Sequence, residues 1–106
     1  MRSVVTSPRQ GKTLWGLARE FEWRAAARIA IRIDRLALGN FGDCKALHEG
    51  VSELRIDWGP GYRLYFGRLG RESVLLLCGG DKRKQSADIE RAIDYLKDYK
   101  ERTTKP

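Results

Sequence analysis

Apolar residues recur with two different periods along this chain, and the two periods predict a mixture of helices and strands. Between Glu22 and Leu38 they return every three or four residues, the period of a helix with one buried face. A helical wheel gathers these apolar residues on one side: Trp23, Ala26, Ile29, Ala30, Ile33, Leu36 and Ala37. Opposite them it places a stripe of arginines: Arg24, Arg28, Arg32 and Arg35. Gly39-Asn40 then predicts the end of this helix.

From Val51 onward the period changes to two, which is typical of strands. Residues 51–58 and 62–69 each alternate apolar with polar side chains. Gly59-Pro60-Gly61 separates them and predicts a turn, because a strand interior does not tolerate this tripeptide.

A three-residue turn at 59–61 would fix the register of these two strands. One face would then pair the apolar residues: Trp58 with Tyr62, Ile56 with Leu64, and Leu54 with Phe66. The other face would pair the polar ones: Asp57 with Arg63, and Arg55 with Tyr65. We expect the first face to pack against helices and the second to stay open.

A third strand is predicted at 72–79, after a two-residue turn at Gly70-Arg71. Its apolar run, Val74 to Cys78, is apolar on both faces and therefore belongs inside the sheet. This turn would place Cys78 opposite Arg63, with Lys82 just beyond.

A C-terminal helix is predicted over 85–100, followed by a frayed tail at 101–106. Its buried stripe comprises Ile89, Ala92, Ile93, Leu96 and Tyr99.

The N-terminal part carries weaker patterns. Val4 and Val5 indicate a short first strand, and residues 44–49 a short edge strand before Gly50. After Ser7-Pro8, an apolar group favours a first helix: Leu14, Trp15, Leu17 and Ala18. Together the elements predict one α+β domain over residues 1–106, with an N-terminal helical pair on a small, mainly antiparallel twisted sheet of three to five strands.

Charge and composition narrow the classes of function. The chain has 106 residues and a net charge of +7, and residues 1–38 hold 8 of the 21 basic but only 3 of the 14 acidic residues. Such an excess favours a polyanion or an acidic protein as partner. No apolar run approaches a membrane span or a secretory signal, so we expect a cytoplasmic protein. Cys44, Cys78 and His48 form no metal-ligand pattern, and both cysteines are expected to be reduced and structural.

Several spaced motifs in order resemble the RelE/ParE superfamily of bacterial toxins, in its HigB-like, phage-derived "addiction module killer" branch. They comprise residues 37–43 with Lys45, then Glu53-Leu54-Arg55, the run 59–66, and the run 76–82. The resemblance covers roughly residues 24 to 99. The N-terminal stretch departs from it, since family members usually open with a clearer strand and a cleaner helix.

The resemblance implies the toxin half of a type II toxin–antitoxin pair. RelE-like members cleave mRNA in the ribosomal A site without a metal or other cofactor, so mRNA, rRNA and an antitoxin, expected to be a small helix-turn-helix protein encoded nearby, would be the partners. ParE-like members of the same fold inhibit DNA gyrase, and a weakly toxic binding module is a third alternative.

Metal-free RNA cleavage requires a group that withdraws a proton from the ribose 2′-OH and groups that stabilise the phosphorane. Arg55 and Arg63 suit the phosphate, because a guanidinium fork binds its oxygens bidentately. Lys82 could act near the leaving group, and Tyr65 could donate a proton or stack on a base. His48 is the candidate base, from its usual pKa near 6.5.

Further candidates and structural alternatives stay open. Three more cations are candidates for RNA binding: Lys45, Arg83 and Lys84. Arg63 could instead form a cross-strand ion pair with Asp57, and Arg55 a cation–π contact with Tyr65. Asp81 could be a second base or a helix cap, and residues 82–84 an ordinary solvated loop. The arginine stripe of the 22–38 helix could be solvated, or could contact an acidic antitoxin segment or phosphates.

Overall fold

A computed structural model describes residues 3–6, 23–59, 61–70 and 73–104 of the chain. It is α+β: a five-stranded sheet in the order β1-β5-β4-β3-β2 lies between two helices. The strands are β1 (Ser3–Thr6), β2 (Cys44–Ala46), β3 (Val51–Ile56), β4 (Tyr62–Leu69) and β5 (Ser73–Asp81). The helices are α1 (Trp23–Ala37) and α2 (Gln85–Thr104), and a 3₁₀ turn at Lys82–Lys84 joins β5 to α2.

The antiparallel meander from β2 to β5 confirms the predicted antiparallel sheet, and β1 pairs with β5 in parallel. β5 lies inside the sheet, as its apolar run predicts. The first strand is confirmed, whereas the predicted first helix, with Leu14 and Trp15, lies outside the described residues. α2 continues to Thr104, four residues beyond its predicted end at residue 100.

Helix α1 packs on one face of the sheet through Ile29, Ile33 and Leu36. It ends at Ala37, one residue before the predicted Leu38, and Asn40 N–H donates to the Arg35 carbonyl at 2.8 Å. Ala30 is exposed rather than buried, because the core face is centred closer to Ala25.

The arginine stripe of α1 flanks its core face and does not lie opposite it. Arg32 Nη1 donates to the Arg55 carbonyl at 2.7 Å, and the Arg28 guanidinium lies 5.0 Å from the centre of the Trp58 ring. The outer face of α1 instead carries two exposed apolar residues, Ile31 and Leu38.

Helix α2 covers part of the opposite face, which the sequence pattern left open. Ala92 and Leu96 are buried against Tyr65, Leu75 and Leu77, and other apolar residues of the predicted α2 stripe pack around them: Ile89, Ile93 and Tyr99. The sheet therefore has a core on each side. No helix in the described part of the chain has both the length and the apolar character needed to cross a membrane.

The two cysteines lie on different sides of the sheet. Cys44 is half-buried against the α1 core, and Cys78 is buried in the α2 core. Both are free thiols, and burial raises the pKa of Cys44 above its usual value. Because the sheet separates them, they act as packing residues.

Candidate functional site

The pairing of β3 with β4 brings two arginines together. Arg55 lies directly opposite Arg63, and Glu53 lies opposite Tyr65 on the same face. The predicted pairs of Asp57 with Arg63 and of Arg55 with Tyr65 are therefore wrong by two residues. The reason is the turn: Ile56 pairs with Tyr62, so the connection holds five residues rather than three.

Glu53 is the residue that links these arginines, and its side chain is only 2% exposed. Its Oε1 lies 3.5 Å from Nε of Arg55 and 3.8 Å from Nε of Arg63. Its other oxygen accepts a hydrogen bond of 2.7 Å from Nε2 of Gln85, the first residue of α2. One carboxylate thus faces two guanidinium groups, and the cluster keeps a net positive charge.

The two arginines differ in exposure. The Arg63 side chain is 12% exposed and that of Arg55 is 42% exposed. Arg63 Nη1 donates to the Gly61 carbonyl at 3.1 Å. Neither Nε makes a hydrogen bond within the described part of the chain, although both are buried. The terminal nitrogens of Arg55 also have no hydrogen-bond acceptor among the described residues, so an anion could take that place.

Gly61 closes the turn beside Arg63. It has a φ of +85°, a backbone conformation that favours glycine, and an added Cβ would lie 3.2 Å from Arg63 Nη1. The same Cβ would lie 3.9 Å from Cβ of Lys82. Arg63 Nη1 and the Cβ of Lys82 therefore flank one glycine, so Lys82 is a neighbour of Arg63 at this end of the sheet.

The other basic residues of the loop have different surroundings. Asp81 caps the 3₁₀ turn by accepting from Arg83 N at 2.9 Å, so its capping alternative is confirmed. Arg83 also donates from its guanidinium to Asp81 at 2.8 Å, and these bonds hold the pKa of Asp81 below its usual value. Lys84 lines the adjacent pocket. Arg83 is therefore paired, whereas Lys82 and Lys84 make no ion pair with a described residue.

Tyr65 lies in the cluster but is completely buried. Its ring therefore cannot stack on a base, which corrects one of its two expected roles. The hydroxyl makes no hydrogen bond to a described residue. Burial, together with the negative charge of Glu53, raises its pKa well above the usual value and keeps it protonated.

The structure does not bring His48 to the arginines. His48 lies in the turn before β3 and accepts through its carbonyl from Val51 N–H at 3.1 Å. From Val51 to Arg55 the strand advances about 13 Å, at roughly 3.3 Å per residue. His48 is therefore at the other end of the sheet, because β3 runs away from it. Lys45 lies opposite Glu53 on β2, exposed and at the same level as the cluster.

A polar pocket of about 270 Å³ adjoins Arg63, which pairs with Gly80. It is lined by Tyr62, Gly79, Gly80, Asp81, Lys84, Asp88 and Arg91. Asp88 is 4% exposed, and its Oδ1 accepts from Arg91 Nη2 at 2.9 Å. Burial raises its pKa, although Arg91 and Lys84 act in the opposite direction.

Sequence reasoning missed four residues of the cluster and its pocket: Glu53, Gln85, Asp88 and Arg91. One signal was available for Glu53: the alternation of β3 places it on the same face as Arg55. The contact between Glu53 and Gln85 could not be predicted from the sequence, because it depends on where α2 lies over the sheet.

Fold and site together define an α+β protein whose sheet lies between two helices and whose paired arginines surround a buried carboxylate at one end. The chain belongs to the same family as an uncharacterized protein of Haemophilus influenzae. The two are 54% identical over 69 residues, which span 65% of this chain and 70% of that protein. No protein-family model and no solved structure matches the chain.

Proposed function

We propose that this protein is the toxin of a type II toxin–antitoxin pair, with a RelE-like fold, and that it cleaves mRNA in the ribosomal A site in the cytoplasm. One observation carries the proposal: Arg55 and Arg63 lie opposite each other on neighbouring strands, with Lys82 beside Arg63 at the strand end. Paired residues on antiparallel strands have Cα atoms about 5 Å apart, so both guanidinium groups can serve one phosphate.

The charge of this group fits an RNA phosphate. Arg55, Arg63 and Lys82 supply three positive charges, and Glu53 neutralises one of them. As the ribose 2′-oxygen bonds to its neighbouring phosphorus, its proton passes to solvent water, and negative charge develops on the phosphate oxygens, which the guanidinium groups would stabilise. The P–O5′ bond then breaks to leave a 2′,3′-cyclic phosphate, and the 5′-oxygen takes a proton from water. Lys82 would stabilise the leaving oxygen. This chemistry requires no metal ion, and His48 has no part in it because of its distance from the arginines.

The antitoxin, a small helix-turn-helix protein encoded beside the toxin, would neutralise it. Co-expression of that neighbouring reading frame should restore growth, and the protein that it encodes should co-purify with this chain.

The test combines induction in a bacterial host with primer extension on ribosome-bound transcripts. The wild-type chain should arrest growth and produce new 5′ ends within codons. Arg63→Ala should lower the cleavage rate on programmed ribosomes by about 10²–10³-fold, as for the loss of one donor to a transition-state oxyanion. Arg63→Lys, which keeps the charge but not the fork, checks that any loss does not come from unfolding.

Arg102→Ala is the matched control, since Arg102 is exposed near the far end of α2 and forms an ion pair with Asp98 at 3.2 Å. It removes the same charge and should cleave as the wild type does. Growth arrest with linearised plasmid DNA and no new 5′ ends would instead identify a gyrase inhibitor. Full activity of folded Arg63→Ala would remove Arg63 from the site.

A further inference from the structure

The carboxylate of Glu53 is buried beside two candidate catalytic residues, Arg55 and Arg63, and this burial requires an explanation. Removing a charged group from water is costly, and buried carboxylates are normally compensated by charge and hydrogen bonds. Glu53 is compensated three times: by Nε of Arg55 at 3.5 Å, by Nε of Arg63 at 3.8 Å, and by the Gln85 amide at 2.7 Å. These partners come from three elements, β3, β4 and α2.

Glu53 Oε1 lies within ion-pair distance of both Nε atoms but accepts a hydrogen bond from neither, so the carboxylate attracts the two guanidinium groups through its charge. An arginine side chain has several rotatable bonds, and fixing its Nε leaves the two terminal nitrogens with a restricted set of directions. Arg63 is held further through Nη1, which donates to the Gly61 carbonyl. For the more exposed Arg55, Glu53 is the one described side chain within ion-pair distance.

Glu53 is itself held by the helix. Its Oε2 accepts from Gln85 at the first residue of α2, and α2 is anchored further along by Leu96, which packs against Gly67 of β4. The carboxylate therefore has a fixed location, since strand and helix both determine it. Packed and hydrogen-bonded neighbours of this kind are what hold a catalytic group within a fraction of an ångström of its productive position.

We infer that Glu53 is a positioning residue, which orients the guanidinium groups of Arg55 and Arg63 towards one phosphate and takes its own position from Gln85. This role rests on the proposed function. Glu53 does not touch the RNA, because its side chain is 2% exposed. It acts through the arginines.

Kinetics and spectroscopy distinguish a positioning role of Glu53 from a merely structural one. Glu53→Gln keeps the size and an acceptor oxygen but removes the charge that holds both Nε atoms. On programmed ribosomes it should lower kcat by about 10–100-fold, since a displacement of 1 Å at a reacting group costs about that much. KM should change little. Glu53→Asp, which keeps the charge on a shorter side chain, should recover part of kcat.

Val74→Ala is the matched control for stability, because Val74 is buried in the core on the α1 side of the sheet and pairs with Arg68, far along β4 from Arg63. It should lower the melting temperature and leave kcat unchanged at a temperature where the protein is folded. Gln85→Ala, which releases Glu53 but keeps its charge, should fall between Val74→Ala and Glu53→Gln in its effect on kcat.

The ¹⁵N–¹H resonances of the arginine Nε groups give a readout that does not require cleavage. Those of Arg55 and Arg63 should shift in Glu53→Gln, and those of Arg102 should not. If the resonances stay in place, or if Glu53→Gln loses only stability and keeps its kcat, Glu53 has no positioning role. If the wild-type chain cleaves no RNA, the proposed function fails, and the resonances together with titration by inorganic phosphate decide the role of Glu53 alone.

Discussion

Arg55 and Arg63 lie directly opposite each other on antiparallel neighbours, an arrangement of like charges that by itself destabilises a sheet. Glu53 lies between their Nε atoms and offsets the repulsion. A neutral pair at positions 55 and 63 would stabilise the sheet better than two arginines do. The RNA phosphate of the proposed function, bound by the two guanidinium groups together, would account for the arrangement.

Lys82 should contribute to RNA affinity mainly through phosphate charge. Lys82→Ala is expected to reduce the slope of log K against log salt concentration by about 0.7, the value for one phosphate contact with a single strand. Titration of a short single-stranded RNA at several salt concentrations measures this slope. Lys97→Ala is the control, since Lys97 lies on the distal half of α2 and pairs with Glu49 at 3.7 Å. Equal slopes for the wild type and Lys82→Ala would remove Lys82 from the site.

Tyr65→Phe should be neutral or stabilising. The buried hydroxyl has no hydrogen-bond partner among the described residues, and an unsatisfied buried polar group costs about 1–3 kcal/mol. Its removal should therefore raise the free energy of unfolding slightly, as measured by urea denaturation. Cleavage should persist, because a side chain with no exposed surface does not touch the substrate. A large loss of kcat in this variant would restore Tyr65 as a proton donor.

Gly80 is required by its contact with Asp88. A Cβ at this position would collide with Oδ2 of Asp88, so Gly80→Ala should destabilise the protein by about 1–3 kcal/mol. The double variant Gly80→Ala, Asp88→Ala removes the colliding carboxylate and should be less destabilised than the sum of the two single variants. Additive losses, measured by denaturant unfolding of all four proteins, would show that the contact is unimportant.

Asp88 should make stability depend on pH. Burial raises its folded pKa above the ordinary value of 3.8, so the folded state holds this proton more tightly than the unfolded state does. The stability that Asp88 contributes is therefore complete below 3.8 and is lost as pH rises through the folded pKa. Relative to Asp88→Asn, the wild type should lose melting temperature as the pH rises above 3.8. Parallel curves for the two proteins would contradict this.

The sequence predicts the elements well because each carries its own period, and β4 at residues 62–69 has its predicted bounds. The register between neighbouring strands was harder to predict. The β3–β4 turn is two residues longer than Gly59-Pro60-Gly61 indicates, and a shift of two keeps every side chain on its face. Leu54 and Leu64 therefore lie in the α1 core as expected, although their partners differ.

The β4–β5 register failed for two separate reasons. Leu69 pairs with Ser73, so the turn is one residue longer than predicted, and a bulge in β5 at Leu77 adds another residue. Cys78 therefore lies opposite Tyr65 rather than Arg63. A bulge has no local signature in an apolar run such as this one.

The position of α2 on the sheet was a further source of error, and it changed which residues form the site. Periodicity identifies the apolar stripe of the helix but does not specify which face of the sheet it covers. Because α2 covers the face of Tyr65, a residue expected at an open surface is buried, and Glu53 becomes the centre of the cluster.

The parallel pairing of β1 with β5 has a consequence for the order of folding. Ser3 pairs with Ser73, so about 70 residues separate the partners, whereas β3, β4 and β5 are joined by short turns. Closing the long loop costs more chain entropy than closing the hairpins, so the meander can form first and β1 adds to its edge afterwards. During synthesis the first strand must wait until β5 has left the ribosome. The pairing of Arg55 with Arg63 involves only β3 and β4, so it can form before the sheet is complete.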